Sequence, residues 1–244
     1  MIALFPCRIH VRSKAVYDLH DNKRIRRANL KELKTEGWDV LEEKVQGDYA
    51  FWKSPDALAM AVFVNEKRKV KVLALKGTSE LKNASDLHMN VASILGPHYP
   101  AQPVLNAAAM VKEHQKGGYK VMVTGHSLGG YMAEVVATTL DISGVGFCAP
   151  GSGWHAGEFG FGVKGSHKIF QNVNFEHDFL GNVAAGIYEH SQWSFYVPAE
   201  NTFRFGHGMS LMEETLAKRL PGWTLQTIRG KSVGNWTGFG PPKK

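Results

Sequence analysis

The sequence predicts an α/β fold built on a mostly parallel central sheet flanked by helices, and three observations predict it. Short apolar runs recur at 57–64, 70–75, 121–124, 144–149 and 168–175. Helix-periodic segments fill several of the intervals, and glycine or glycine-proline marks the joins. Alternation of strand and helix signals parallel neighbours, because a parallel strand is reached only by a crossover long enough to hold a helix.

Taken in order, residues 22–36 carry Leu30 and Leu33 on one helical face and stop at Gly37. The runs 57–64 and 70–75 read as strands separated by Asn65-Glu66-Lys67-Arg68-Lys69, and the second ends at Gly77. Ala84, Leu87, Val91, Ile94 and Leu95 fall at helical spacing before Gly96-Pro97. Pro103 suits the first turn of a helix with Val104, Leu105, Ala108 and Val111 along one face, closed by Gly117-Gly118. A strand at 121–124 then enters the sharp turn 125–130, followed by a helix over 131–140 and strands at 144–149 and 168–175. The last helix is expected at 212–220, ended by Pro221-Gly222.

Composition narrows the class. Of 244 residues, 43% are hydrophobic and 21% charged, a balance that suits a folded globular chain and excludes a disordered or collagenous one. A single domain is expected, with a basic N-terminal region (1–56), a core (57–215) and a Gly- and Trp-rich tail (222–244). Cys7 and Cys148 are too few for a disulfide framework and form no metal-ligand pair. The longest apolar run, 57–64, has eight residues where a spanning helix needs about 20. Pro6, Arg8, His10 and Arg12 interrupt the N-terminus, so no signal peptide is expected. The corresponding expectation is a cytoplasmic protein, or one exported by a signal-independent secretion machine.

The net charge is +7, and nine Lys/Arg against three acids lie between Arg8 and Lys34. One reading is a surface for anionic lipid headgroups or other phosphates. The default reading is a solvated helical face paired with Glu36, Asp39, Glu42, Glu43 and Asp48. No zinc finger, RNA-binding signature or phosphate loop accompanies the charge, so nucleic acid is not an expected partner.

Chemistry enters at Gly125-His126-Ser127-Leu128-Gly129, a Gly-x-Ser-x-Gly motif. With 26 glycines and 13 serines the pattern arises by chance in roughly one such sequence in seven, so context must decide. A second copy, Gly230-Lys231-Ser232-Val233-Gly234, follows no buried strand and precedes no helix. The first copy follows an apolar strand and opens a helix, which is what a nucleophile elbow requires: a serine on a strained turn, facing helix N-terminal amides. Gly129, Ala133 and Ala137 form a small-residue stripe that lets that helix approach the sheet.

A serine nucleophile needs a base, and the base an orienting acid. On this elbow the chain order is Ser, then Asp or Glu, then His. Asp178 is the last aspartate, 51 residues after Ser127, just past the strand at 168–175. His190 and His207 follow it; His207, between Gly206 and Gly208, is favoured as the base, with His190 the alternative. Glu176 is the fallback acid, and His177 reads as a neighbour. The other histidines fit no metal-binding spacing.

A wider resemblance then becomes visible. Leu73-Ala74-Leu75-Lys76-Gly77-Thr78-Ser79 resembles the oxyanion strand and loop of the class 3 lipases. The segment 81–87 is similar to that family's lid, with Ala84 where a tryptophan is usual. Gly125-His126-Ser127-Leu128-Gly129-Gly130 matches its elbow. Asn174-Phe175-Glu176-His177-Asp178 resembles its acid segment, without the proline common shortly afterwards, and His207 lies where its histidine is expected. The resemblance covers about 57–215 and implies an α/β-hydrolase in which Ser127 attacks, His207 shuttles the proton and Asp178 holds the imidazole. It also implies an oxyanion hole from the backbone amides of Thr78 and Leu128, with no cofactor and no metal. The expected activity is a serine carboxylester hydrolase acting on lipid esters, a lipase or phospholipase. Residues 79–95 are the expected lid over an apolar acyl pocket, with an ordinary core helix as the alternative. The rival functions are a small-ester or thioester hydrolase without lipid preference, and a catalytically silent binding module docking by its basic face.

Overall fold

Nearly continuous apolar strands, rather than alternating ones, mark a sheet covered on both faces. In the computed structural model, which describes residues 30–31, 33–46, 58–77, 101–152, 170–175, 178 and 193–197, the chain builds such a sheet. Its strands are β1 (Asp39–Gln46), β2 (Leu58–Asn65), β3 (Val70–Leu75), β4 (Lys120–His126), β5 (Ser143–Phe147), β6 (Phe170–Phe175) and β7 (Trp193–Val197). The seven strands lie side by side in sequence order. β1, β2 and β3 run antiparallel to one another, and every pair from β3 to β7 is parallel. Helix α1 (Ala101–Gln115) connects β3 to β4, and α2 (Leu128–Leu140) connects β4 to β5. No helix among the described residues is long and apolar enough to cross a membrane.

Both helices pack on one face of the sheet. Met60, Val62, Leu73, Leu75, Val121 and Val123 point to it and meet Val104, Met110 and Val111 of α1 and Tyr131, Met132 and Val136 of α2. From Leu128 to Thr138 every residue of α2 is buried, which is why this helix is apolar nearly all round, Glu134 and Thr138 being the polar exceptions. Along β5 the core is shaped by what is missing. The Phe170 ring on β6 lies across Gly144 and Gly146, and a Cβ on Gly146 would stand 2.6 Å from Asn172 Oδ1. The opposite face is buried too, through Phe63, Val72, Met122, Phe147, Val173 and Phe175.

One buried cation interrupts the core face of β3. Lys71 Nζ lies 3.5 Å from His114 Nδ1 and 4.0 Å from the centre of the Tyr119 ring. His114 Nε2 stands 3.1 Å from Glu42 Oε2. The imidazole thus stands between the Lys71 ammonium and the Glu42 carboxylate.

Most expected elements are present. The strands at 57–64, 144–149 and 168–175 are confirmed within two residues at each end, and 70–75 holds as expected. The strand expected at 121–124 is longer, Lys120–His126, and the helix expected from residue 131 begins at Leu128. Pro103 does sit in the first turn of α1, but Leu105 is 46% exposed, because at 100° per residue it leaves the stripe of Val104, Ala107, Ala108 and Val111. Residues 30–31 and 33–35 are helical and end at Gly37, whose φ is 76°. Two strands had no expectation. β1 is an edge strand carrying Asp39, Glu42, Glu43 and Lys44, with a bulge at Leu41, and such charge hides the strand signal. The acids at 39, 42 and 43 therefore lie on this strand, where Asp39 and Glu43 line a cleft together with Leu30, Leu33 and Lys34 of the helical segment. β7 is short and flanked by polar residues. The expected helices at 84–95 and 212–220, the lid segment and the tail lie outside the described residues.

The β5–β6 contact is testable. Gly146→Ala should lower stability by about 1–3 kcal/mol through overpacking. In an Asn172→Ala background the same substitution should cost about 1 kcal/mol less, measured as urea-unfolding free energies in a double-mutant cycle. Additivity within about 0.3 kcal/mol would place the strain elsewhere.

Candidate active site

At the C-terminal end of β4 the chain must reverse into α2 within one residue, and that residue is Ser127. Its backbone sits at φ 57° and ψ −130°, a region that side-chain-bearing residues rarely adopt. Three hydrogen bonds hold it there. The Ser127 N–H donates to the Phe147 carbonyl at 2.9 Å, and the Ser127 carbonyl accepts from Gly130 N–H at 2.9 Å and Tyr131 N–H at 3.1 Å. Just below, Thr124 Oγ1 donates to the Val145 carbonyl at 2.8 Å, tying β4 to β5.

Glycine permits the crossing. A Cβ on Gly129 would overlap the Leu75 carbonyl at the end of β3, and one on Gly125 would overlap the Gly129 backbone. The start of α2 therefore rests directly on the end of β3 and on the final residues of β4. Leu128, the first helical residue, is fully buried, and an N–H in this position has no partner within its own helix. The Ser127 hydroxyl is also fully buried, and among the described residues Oγ has no hydrogen-bond partner.

Asp178 follows β6, two strands away. It is fully buried, and its N–H donates to the Phe175 carbonyl at 3.1 Å. Two inter-strand spacings of roughly 4.8 Å separate the ends of β4 and β6, a gap that one imidazole ring can bridge between a hydroxyl and a carboxylate. The structure thus gathers Ser127, Leu128 and Asp178 at the C-terminal edge of the parallel strands, where open α/β sheets place their sites. Thr78, His207, His190, Glu176 and His177 lie outside the described residues. Among the described residues no cluster of three or more His, Cys, Asp or Glu could hold a metal ion.

Sequence reasoning passed over Cys148. It is the first residue beyond β5, fully buried, with φ 46° and its N–H donating to the Val173 carbonyl at 3.0 Å. The fully buried Asp178 carboxylate is its charged neighbour. Burial, then the neighbouring carboxylate charge, push the thiol well above its ordinary range. The signal that could have found it was position, one residue past a buried parallel strand beside the elbow.

A buried parallel sheet with flanking helices and a strained serine at a strand–helix junction defines an α/β-hydrolase fold. The chain belongs to the Tle-like phospholipase domain family, a phospholipase-like family whose model matches residues 10–158. That match contains Thr78, Ser127 and Leu128 and ends before Asp178 and His207. Among solved structures, Lip2 lipase of Yarrowia lipolytica is similar, with 13% identity over 78% of this chain and 77% of that chain, at a TM-score of 0.51. The nonglycosylated form of that lipase is similar at 12% identity over 78% of each chain, also at a TM-score of 0.51. At this identity the likeness is one of fold. No curated protein matches the sequence.

Two outcomes follow from this geometry. Glycine is normally worse than alanine by about 0.5–1 kcal/mol, but at Ser127 the order should invert. Ser127→Gly should unfold at higher urea concentration than Ser127→Ala, because only glycine releases the backbone strain. The reverse order would show that no strain is stored. The raised Cys148 thiol sets a pH dependence. An unfolded cysteine loses its proton near pH 8.5 while the folded one keeps it, so the folded state binds more protons above that pH. This contribution is fully present below about pH 8.5 and is lost as pH rises toward the folded value. The stability difference between wild type and Cys148→Ala, from urea unfolding between pH 7 and 10, should therefore narrow in the alkaline range. A constant difference would contradict it.

Proposed function

We propose that the chain is a serine carboxylester hydrolase acting on lipid esters, with Ser127 as nucleophile, His207 as general base and acid, and Asp178 as the orienting carboxylate. Ser127 itself carries this reading: a buried hydroxyl on a left-handed residue between a parallel strand and a helix, with no partner among the described residues. A core serine is ordinarily hydrogen-bonded and unstrained, so strain and an unsatisfied hydroxyl at one residue point to a group held ready for a reaction.

In the first half-reaction Ser127 Oγ attacks the ester carbonyl while its proton passes to His207 Nε2. The N–H groups of Leu128 and Thr78 receive the developing oxyanion, and donors of this kind are worth about 3–4 kcal/mol each. Collapse expels the alcohol, which takes its proton from His207, and leaves an acyl-serine. Water then attacks the acyl carbonyl, giving its proton to His207, and the carboxylic acid departs as Oγ is reprotonated. Asp178 keeps Nδ1 protonated and stabilises the imidazolium in both halves. The family model is phospholipase-like, and the basic stretch between Arg8 and Lys34 suits an anionic headgroup surface, so glycerophospholipid esters are the favoured substrates.

The test is intact-mass labelling with a fluorophosphonate, with and without phospholipid micelles. The wild type should take one adduct per chain, Ser127→Ala none, and His207→Ala a small fraction at the same time point. His190→Ala should label fully. Labelling that survives His207→Ala but not His190→Ala would move the base to His190. Absence of any adduct in the wild type would overturn the reading.

A further inference from the structure

Asp178 and Ser127 belong to loops after β6 and β4, and the strand between them ends at Cys148. The one-residue step from Phe147 to Cys148 serves both sides. The Phe147 carbonyl anchors the Ser127 N–H at 2.9 Å, while the Cys148 N–H anchors to the Val173 carbonyl of β6 at 3.0 Å. The adjoining Ala149 N–H donates to Asn174 Oδ1 at 3.1 Å, so this turn is bonded along its length to the segment that carries Asp178. Cys148 and Asp178 are both fully buried here, and the carboxylate is the charged neighbour of the thiol, close enough to act on its ionisation.

Two physical features set this cysteine apart from packing. Its φ of 46° lies where glycine would sit without strain, so a side chain is retained against the backbone preference. The group it touches is a fully buried carboxylate, an acceptor with several lone pairs to satisfy. An imidazole supplies one donor, and the remaining oxygen positions need others if the carboxylate is to stay ionised and in one rotamer.

We propose that Cys148 is a positioning residue for Asp178, its S–H fixing the carboxylate in the rotamer and charge state that orient the catalytic imidazole. This rests on the assignment of Asp178 as the acid made above. The thiol remains a donor across the working pH range, because burial and the adjacent negative charge both oppose its ionisation. Among the described residues Asp178 is the charged group facing the thiol, and His207 is the other titratable partner that the reading assigns to the carboxylate. A donor to an ionised carboxylate lowers its basicity, and losing that donor raises it. A more basic carboxylate also raises the affinity of the imidazole for its proton. Both effects move the acid limb of the reaction to higher pH.

The experiment measures kcat and KM for a short p-nitrophenyl ester, and the rate of fluorophosphonate labelling, across pH for full-length wild type, Cys148→Ala, Cys148→Gly, Cys148→Ser and Asp178→Asn. Cys148→Ala should lower kcat about tenfold at unchanged KM and shift the acid limb upward by about half a pH unit, as expected for one hydrogen bond to a charged group. Cys148→Ser, which keeps a donor, should recover most of the rate. Cys148→Gly relieves the backbone and should fold at least as stably as Cys148→Ala while showing the same rate defect, which separates positioning from stability. Wild-type kcat and pH profile in the Ala and Gly variants, alongside an inactive Asp178→Asn, would overturn the role of Cys148 alone. A fully active Asp178→Asn would overturn both the acid assignment and this role.

Discussion

The structure turns on the contact between the first turn of α2 and the end of β3. Gly129 lies against the Leu75 carbonyl and Gly125 against Gly129, so strand, elbow and helix share a space in which no side chain fits. Because α2 is pressed onto β3 as well as its own strand, the chain leaving β4 has no room for a loop and turns at a single residue. The strain at Ser127 follows from that close approach. It is held by the Phe147 carbonyl and by the first amides of the helix. Packing on the sheet face thereby determines where the hydroxyl stands, and the surrounding core, dense with Leu75, Tyr131 and Val123, resists any relaxation of it.

The two ends of the sheet handle polar groups differently. At the N-terminal ends of β3 and β4, Lys71, His114, Glu42, Tyr119 and Glu66 satisfy one another in a network that reaches solvent. There Tyr119 and Lys69 hold the fully exposed Glu66 below the usual carboxylate range by hydrogen bonding. At the C-terminal ends Ser127, Asp178 and the Cys148 thiol are fully buried. In a dry setting each hydrogen bond is stronger, and each missing one more expensive, than at the surface. A buried carboxylate in such a place depends on its hydrogen-bond donors for both its charge and its rotamer.

Much of this was legible in the sequence because parallel strands and buried helices must be apolar wherever they run. Val70–Leu75, Lys120–His126 and α2 announced themselves as mostly apolar segments, and the elbow at Ser127 was legible from the strand before it and the helix after it. Chain order and strand position pointed to Asp178, which the fold buries beside the elbow. β1 was hidden because an edge strand carries charge to stay unpaired on its outer side, and Leu105 was misassigned because a helical stripe leaves one apolar residue in solvent.

By itself the sequence determined the local rules: which segments were strand or helix, where glycine allowed close approach, and which serine had an elbow around it. These are properties of neighbours along the chain, set by periodicity and backbone sterics. Only the tertiary structure decided that the turn after β5 lies between Ser127 and Asp178, and that Cys148 neighbours Asp178 there. That contact joins residues 30 apart in sequence, on strands whose adjacency is fixed by the sheet and leaves no periodic trace in either segment. The same holds for Lys71, an unexplained lysine in an apolar strand until α1 brings His114 and β1 brings Glu42.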